Sequence, residues 1–516
     1  MFNSVYGRGG LGVLVNRALG STLRLVFATL TLAASSAGQV DIGSTLELFV
    51  DERLIEKMDG ARLVLHTPTP AGKVLDFDRP WEGVLSNCVD VFQDGATMKM
   101  YYRGARQEME HAIPGSSNVC YAESKDGIHW TRPHLGLYDF KGSTENNIVY
   151  MGPGTPGWFC FKDENPEAPP EQRYKALCKS ALGYGGPLAA MVSPDGLHWK
   201  RLRQEPIITG GPLDTLNIAR WDPVHRKYLA FVRNFVTQED GFSIPPNVDA
   251  PSEQYHRWWK ERSKARSIAV LSSTDFVNWT RQQWIFAPGT PIEHLYTNAA
   301  IPYFRAPQLW LGFPMRYFPD RSVVSGWAGS TLAANTGCSD AAFISSRDGL
   351  HWDRTFMEAF LRPGLEESNW TDRNMIIGPG ILQTGPGEIS LYYVSHYGHP
   401  DSRLERVTLR LDGFASVNAG YGGGSLVTRP MVFAGRALVI NYSTSAAGSI
   451  AAEIQDLTGK ALPGFALQDC PLMIGDQIAR PVKWTGGSDV SALAGRPVRL
   501  RFVLKDADLY SLQFKP

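Results

Sequence analysis

No Cys-x-x-Cys pair, no basic run and no apolar stretch long enough to span a membrane occur in this chain. Each absence removes a class of function. The 51 Lys and Arg residues are balanced by 51 Asp and Glu, so there is no net positive field to hold a nucleic-acid backbone. Six cysteines (Cys88, Cys120, Cys160, Cys178, Cys338 and Cys470) lack the paired spacing of a zinc site. Cys160 and Cys178 fall on two predicted strands of one hairpin, which leaves a disulfide and buried free thiols as alternatives. The apolar run from Leu25 to Ala34 is too short for a comfortable membrane span. Arg8, Arg17 and Arg24 come before or at its edge, and Ser35, Ser36, Ala37 and Gly38 follow. That order predicts a secretory signal over residues 1–38 and a secreted or periplasmic product, free of the membrane after cleavage.

What the chain does contain is repetition. A phrase of Ser, any residue, Asp, three residues, Trp, any residue, Arg occurs four times. The copies are Ser124/Asp126/Trp130/Arg132, Ser193/Asp195/Trp199/Arg201, Ser273/Asp275/Trp279/Arg281 and Ser346/Asp348/Trp352/Arg354. Their aspartates stand about 70 to 80 residues apart, and repetition on that scale implies a ring or array of similar units. A weaker copy at Arg410, Asp412, Gly413 and Phe414 raises the count to five. Within a unit, short apolar runs such as 89–92, 98–102 and 118–122 alternate with Asp-Gly turns, the pattern of antiparallel strands. Five four-stranded sheets set radially make an all-β, five-bladed β-propeller over residues 39–416. Leu46 to Val50 is expected to complete a blade and close the ring. The period stops after Phe414, and Gly420 to Gly424 reads as a hinge. Alternating strands beyond it predict a C-terminal β-sandwich accessory domain over 417–516. The one helical exception is a charged insertion at 253–264.

A propeller sorts polar residues by face. The phrases are turns between the third and fourth strands, so they lie away from the mouth of the channel, with Asp bonding its own turn. Asp222, in Trp221-Asp222-Pro223, is assigned to a turn between first and second strands. The opposite face receives the starts of the inner strands and the loops between second and third strands. It collects Glu82, Glu145, Asn147, Asp214, Glu293, Tyr296, Asp372 and Arg373 from the former, with the neighbouring Asn87, Asn298 and Asn374. Arg103, Arg106, His111, Tyr184, Trp258, Trp259, Arg316, Trp327 and His396 come from the latter. Carboxylates from several blades in one funnel match glycoside hydrolysis, where one carboxyl protonates the leaving oxygen and another attacks the sugar or activates water.

Five blades, a trailing sandwich and acids at inner-strand starts resemble the furanosidase-type glycoside hydrolases of families 32, 43 and 68. Pro80-Trp81-Glu82-Gly83 and the Asp-Gly-x-His-Trp repeats resemble secreted family-32-like bacterial proteins. The resemblance implies a nucleophile or base at the start of blade one, a stabilising Asp at blade three and an acid Glu at blade four. Laid on this chain by strand position, the stabiliser falls on Asp214 and the acid on Glu293. The blade-one pattern lands near Ser86 and Asn87, where no acid stands, so Glu82 takes that role. The Arg-Asp-Pro and Glu-Cys motifs of those families are absent. Arg103, Asn147, Tyr296, Arg316, Arg373 and His396 are the expected substrate-binding residues, and the arginines point to an anionic plant or algal glycan. A non-catalytic carbohydrate-binding propeller is the principal alternative, and a six-bladed sialidase-like hydrolase is a further one. The reading calls for no cofactor and leaves a calcium or sodium ion in the channel open.

Overall fold

The computed structural model describes residues 38–106, 117–180, 186–214, 216–237, 264–285, 287, 289–319, 321, 323–324, 337–371 and 373–516. The expected signal segment falls outside them, as do His111, Tyr184, Trp258, Trp259, Trp327, Asp372 and the expected helix, apart from its last residue. Among the described residues no helix is long and apolar enough to cross a membrane.

Five antiparallel sheets form the propeller. Blade one is Asn87–Asp94, Thr97–Ala105, Ser117–Ser124 and Ile148–Tyr150. Blade two is Phe159–Lys162, Tyr174–Lys179, Leu188–Ser193 and Lys200–Arg201, and blade three Ile218–Asp222, Lys227–Thr237, Lys264–Ser273 and Gln283–Trp284. Blade four is Ile301–Tyr303, Ala306–Gly312, Ile344–Ser346 and Trp352–Asp353, its central hairpin prolonged by Met315–Phe318 and Cys338–Ala341. Blade five pairs Ile376–Ile377 and Leu382–Gly385 with Glu388–Ser395, followed by Arg403–Arg410 and Thr69–Asp76. The sialidase-like alternative needs six.

Each blade is covered on both faces by its neighbours, which is why strands such as Leu188–Ser193 are buried at every position rather than alternately. The inner strands of blades five, one, two, three and four touch in turn, and Cys338–Ala341 of blade four's prolonged hairpin meets Ile376–Ile377 of blade five. Arg220 of blade three bonds Asp90 of blade one at 2.8 and 3.0 Å across the ring. All six cysteines are buried and free.

The repeated phrase staples adjacent blades. Trp130 meets Tyr392 edge-on, Trp199 meets Tyr101, and Trp352 meets Phe231, each with the rings within 2° of perpendicular. In every case the partner lies on the preceding blade, and such a pair contributes about 0.5–1.5 kcal/mol beyond its buried area. The glycine after each Asp lets that blade approach: Gly196 has φ +83°, and a Cβ there would stand 2.4 Å from the Tyr101 hydroxyl. The third phrase has Phe276 instead, at φ 65°. Its ring reaches back to Phe161 of blade two, 5.9 Å between centroids, taking over the inter-blade contact.

Ring closure differs from the sequence expectation. Leu46 to Val50 completes no blade: Glu47–Leu48 pairs with Arg499–Lys515 at the C-terminus. The closing strand is Thr69–Asp76, antiparallel to Arg403–Arg410. Ile55–Asp59 and Ala61–Leu65 likewise join the C-terminal sheet, in the order Ile55–Asp59, Gly424–Thr428, Arg499–Lys515, Ala415–Ala419, Ala61–Leu65. The sandwich is therefore built from both ends of the described chain, because its apolar strands need partners that the last hundred residues do not supply alone. Bulged pairing of Ala437–Gln455 with Arg499–Lys515 bends these long strands around a core that includes Phe433, Leu500, Phe502 and Phe514. The sandwich docks on the turn side. Arg347, inside the fourth phrase, bonds Asp51 at 2.9 Å and Glu47 at 2.7 Å. Asp412, the aspartate of the fifth copy, ties blade five to blade four, accepting from Tyr303 at 2.7 Å and Arg305 at 2.9 Å.

Candidate active site

The opposite face is built on strained entries. Four inner strands begin beside a left-handed residue that is not glycine: Cys88 (φ 54°), Leu216 (φ 49°), Ala299 (φ 44°) and Met375 (φ 60°). A side chain there costs about 1–2 kcal/mol, so neighbouring bonds must hold it in place. Buried asparagines do so. Asn217 Oδ1 accepts from the Arg233 N–H at 3.0 Å, Asn298 Nδ2 donates to the Leu216 carbonyl at 2.7 Å, and Asn374 Oδ1 accepts from the Tyr397 N–H at 2.8 Å. These side chains brace the backbone. An Asn followed by a left-handed residue at Asn87-Cys88, Asn298-Ala299 and Asn374-Met375 is a second repeat, unnoticed in the sequence.

Asp214 stands just before the blade-three inner strand, as expected. Lys179 donates to Oδ1 at 3.3 Å and Arg233 to Oδ2 at 2.6 Å, and the carboxylate keeps 24% of its surface. Burial pulls the Lys179 ammonium down from its ordinary value; Asp214 opposes this, and Arg103 and Cys88 are near enough to contribute. The buried Tyr397 phenol is pushed up by burial and also feels Arg373, Arg103, Cys88 and Tyr296. Side chains of all five blades therefore meet in one electrostatic neighbourhood: Arg103, Lys179, Asp214 with Arg233, Tyr296, and Arg373 with Tyr397. The Arg373 guanidinium lies 5.5 Å from the Tyr397 ring.

Glu293 approaches along the prolonged hairpin of blade four, where the Tyr296 N–H bonds the Met315 carbonyl at 2.8 Å and the Tyr317 N–H the His294 carbonyl at 2.9 Å. One Glu293 oxygen lies 3.5 Å from Arg316 and the other pairs with Arg354; 18% of the side chain is exposed. Arg316 is committed further, donating to both oxygens of Asp340 at 2.8 and 2.6 Å and to the Met357 carbonyl at 2.8 Å. It orients carboxylates rather than reaching for a sugar hydroxyl.

Two expected site residues are corrected. Glu82 has no exposed side-chain surface. Its oxygens accept from Tyr102 at 2.5 Å, from Arg132 at 2.8 Å and from the Arg79 N–H at 3.1 Å. Burial pushes its carboxyl above the ordinary value, against the pull of Arg132. A carboxylate enclosed in this way presents no surface to a substrate. Asn147 belongs to the same network: it donates to Tyr102 at 2.9 Å and to the Tyr121 carbonyl at 2.6 Å, and accepts from Trp81 at 2.7 Å. It opens the last strand of blade one, whereas blade two begins at Phe159.

His396, at φ 56°, is buried in an ion-pair cluster after the second strand of blade five. Asp401 lies 2.7 Å from Nδ1, Glu366 pairs with Nε2, and Arg403 bonds Glu366 at 2.7 Å. Glu145 is exposed and pairs with His134. Arg106 lies over the Phe140 ring, 5.7 Å from its centroid. Asp222 accepts from the N–H groups of Val224 and His225 at 3.0 and 3.1 Å, as a turn residue.

Lys179, Arg233, Arg266, Asp340 and Arg354 escaped the sequence reading. A signal existed for Arg354: it ends the fourth phrase, as Arg132 ends the first, and each clamps the acid ahead of its own blade. For Arg233 and Arg266 the signal is a charge near the mouth end of a buried strand, where apolar residues otherwise run on.

No protein-family model matches the chain, and no curated protein matches it. Among solved structures, a glycoside hydrolase shares 13% identity over 67% of this chain and 92% of its own, with a TM-score of 0.43. A family 43 arabinoxylan arabinofuranohydrolase from Bacillus subtilis shares 11% identity over 87% and 99%, with a TM-score of 0.38. A fructofuranosidase from Schwanniomyces occidentalis shares 11% identity over 87% and 98%, with a TM-score of 0.37. Likeness at this level bears on neither substrate nor mechanism.

Proposed function

We propose that this chain is a secreted glycoside hydrolase that binds saccharide at the propeller mouth and acts through Asp214 and Glu293. One observation carries the reading. Two partly exposed carboxylates precede the inner strands of adjacent blades, each held by two cations, and Tyr296 of blade four lies against the arginine that holds Asp214. Glycosidic cleavage needs a proton for the leaving oxygen and a second carboxylate for water or for the developing positive charge. In this reading Glu293 delivers the proton, and Asp214, steadied by Lys179 and Arg233, takes the second role. Tyr296, half-buried beside Arg233, lines the approach to Asp214.

A second reading, a saccharide-binding propeller without turnover, is favoured by a different observation: both acids already accept from two cations. The test is purified protein on a panel of neutral and acidic plant and algal polysaccharides, scored for reducing ends and for binding by calorimetry. Turnover that is lost in Glu293→Gln and in Asp214→Asn, with binding retained, supports the hydrolase. Binding without turnover in the wild type supports the binder. A protein that neither binds nor cleaves any of them ends both readings.

A further inference from the structure

Arg266 is the third residue of Lys264–Ser273, at the mouth end of the third strand of blade three. Only 9% of it is exposed. Its guanidinium lies 5.0 Å from the ring centroids of both Tyr296 and Tyr317, and that of Arg233 lies 4.6 Å from Tyr296. Two guanidinium groups thus share one phenol ring. Arg233 has a counter-charge in Asp214, at 2.6 Å. Among the described residues Arg266 pairs with no carboxylate, and its buried Nε has no hydrogen-bond partner.

Among the described residues its surroundings add nothing that neutralises it. The His294 imidazole, whose Nδ1 accepts the Arg266 backbone N–H at 3.2 Å, is pushed down to about 4 by burial and then by Arg266 and Arg233. At neutral pH it is an uncharged acceptor. A buried cation without a counter-charge is unfavourable, and a like charge against the same ring makes it more so. Stacking on tyrosine recovers part of that cost. An anion recovers the rest, and the planar guanidinium fork is shaped for a carboxylate or a sulfate.

Resting on the reading of the mouth as a saccharide site, we propose that it takes an anionic sugar, with Arg266, beside Arg233, holding the carboxylate or sulfate substituent. Tyr296 and Tyr317 fix the guanidinium plane, and Asp214 keeps Arg233 oriented without cancelling Arg266.

The experiment is calorimetric titration of the full chain with matched pairs. One pair is trigalacturonate and its methyl ester; the other is a sulfated carrageenan oligosaccharide and its desulfated form. In at least one pair the anionic member is expected to bind about tenfold more tightly or better, and that preference shrinks as salt rises. Arg266→Met removes the preference and leaves binding of the neutral member within about threefold; Arg266→Lys restores part of it. The pair that shows the effect identifies carboxylate or sulfate. Equal binding of both members in both pairs overturns the inference while leaving the saccharide reading intact. A preference unchanged in Arg266→Met and Arg266→Lys also overturns it, because the anion is then held elsewhere. If Arg266→Met does not fold, Arg266→Lys and the salt dependence of the wild type decide. Absence of binding to all four probes and to the polysaccharide panel overturns the saccharide reading itself.

Discussion

On the turn face, Asp126, Asp195, Asp275 and Asp348 each accept from two backbone N–H groups of their own turn, all within 2.8–2.9 Å. At the mouth no such uniformity exists: Asp214 lies between a lysine and an arginine, Glu293 between two arginines, and Glu82 is sealed behind Tyr102. The two ends serve different physical needs. A turn that docks on the preceding blade meets nearly the same geometry in every unit, so the same residues solve it each time. A ligand has no fivefold symmetry, so the face that meets it departs from repetition. Glu82 and Glu293 make the point within one face. Each precedes its inner strand, and each is clamped by the last arginine of its own blade's phrase. One is fully enclosed and structural; the other keeps 18% of its surface and a second arginine.

The strongest way to break this contrast is at the two glutamates. Glu293→Gln should lower turnover by about a thousandfold, within the range for a lost general acid, while the melting temperature stays close to wild type. Glu82→Gln should leave turnover per folded molecule unchanged; loss of activity in a fully folded Glu82→Gln protein would put Glu82 back in the chemistry. Glu82→Ala removes the enclosed partner of Tyr102 and leaves Arg132 only Asp78 and the Asp76 carbonyl, and should cost about 2–4 kcal/mol in denaturant unfolding. Gly196→Ala combines a left-handed φ with a clash against Tyr101, and should cost about 2–4 kcal/mol without changing saccharide affinity.

The smallest effect is acid sensitivity of the turns. Burial alone would raise the Asp275 carboxyl, but the backbone N–H groups of Asn278 and Val277 and the Asn278 side chain hold it down to about 2. A depressed carboxylate contributes stability that is complete above its unfolded value near pH ~3.9 and is lost as pH falls through the folded value. The melting temperature should therefore drop between about pH 4 and pH 2, and Asp275→Asn should flatten that slope slightly.

Most of the architecture could be read from the order of residues. The aspartate phrase needs only its own nine residues to close, since Asp, the following N–H groups and the indole are all local. Its spacing then counts the blades. The ring closure was misread because Leu46 to Val50 and Thr69–Asp76 are both plausible edge strands, and only their partners, hundreds of residues away, tell them apart. Asn147 was misplaced because the fourth strand of blade one is interrupted, with Thr131 bridged to Glu123 and the rest of the strand resuming at Ile148.

Local chemistry was thus enough for the five-bladed ring, the trailing sandwich strands and the face on which the phrases lie. It could not say which carboxylates the fold had already enclosed. Glu82 meets Arg132 from 50 residues away, and Arg220 reaches Asp90 across 130. Burial and ion pairing are properties of the closed ring, so the same residue type is a brace in blade one and a candidate acid in blade four. Arg266 shows this most plainly. In the sequence it is one arginine among many; in the folded ring it is a buried cation, stacked on two tyrosines, with no counter-charge among the described residues.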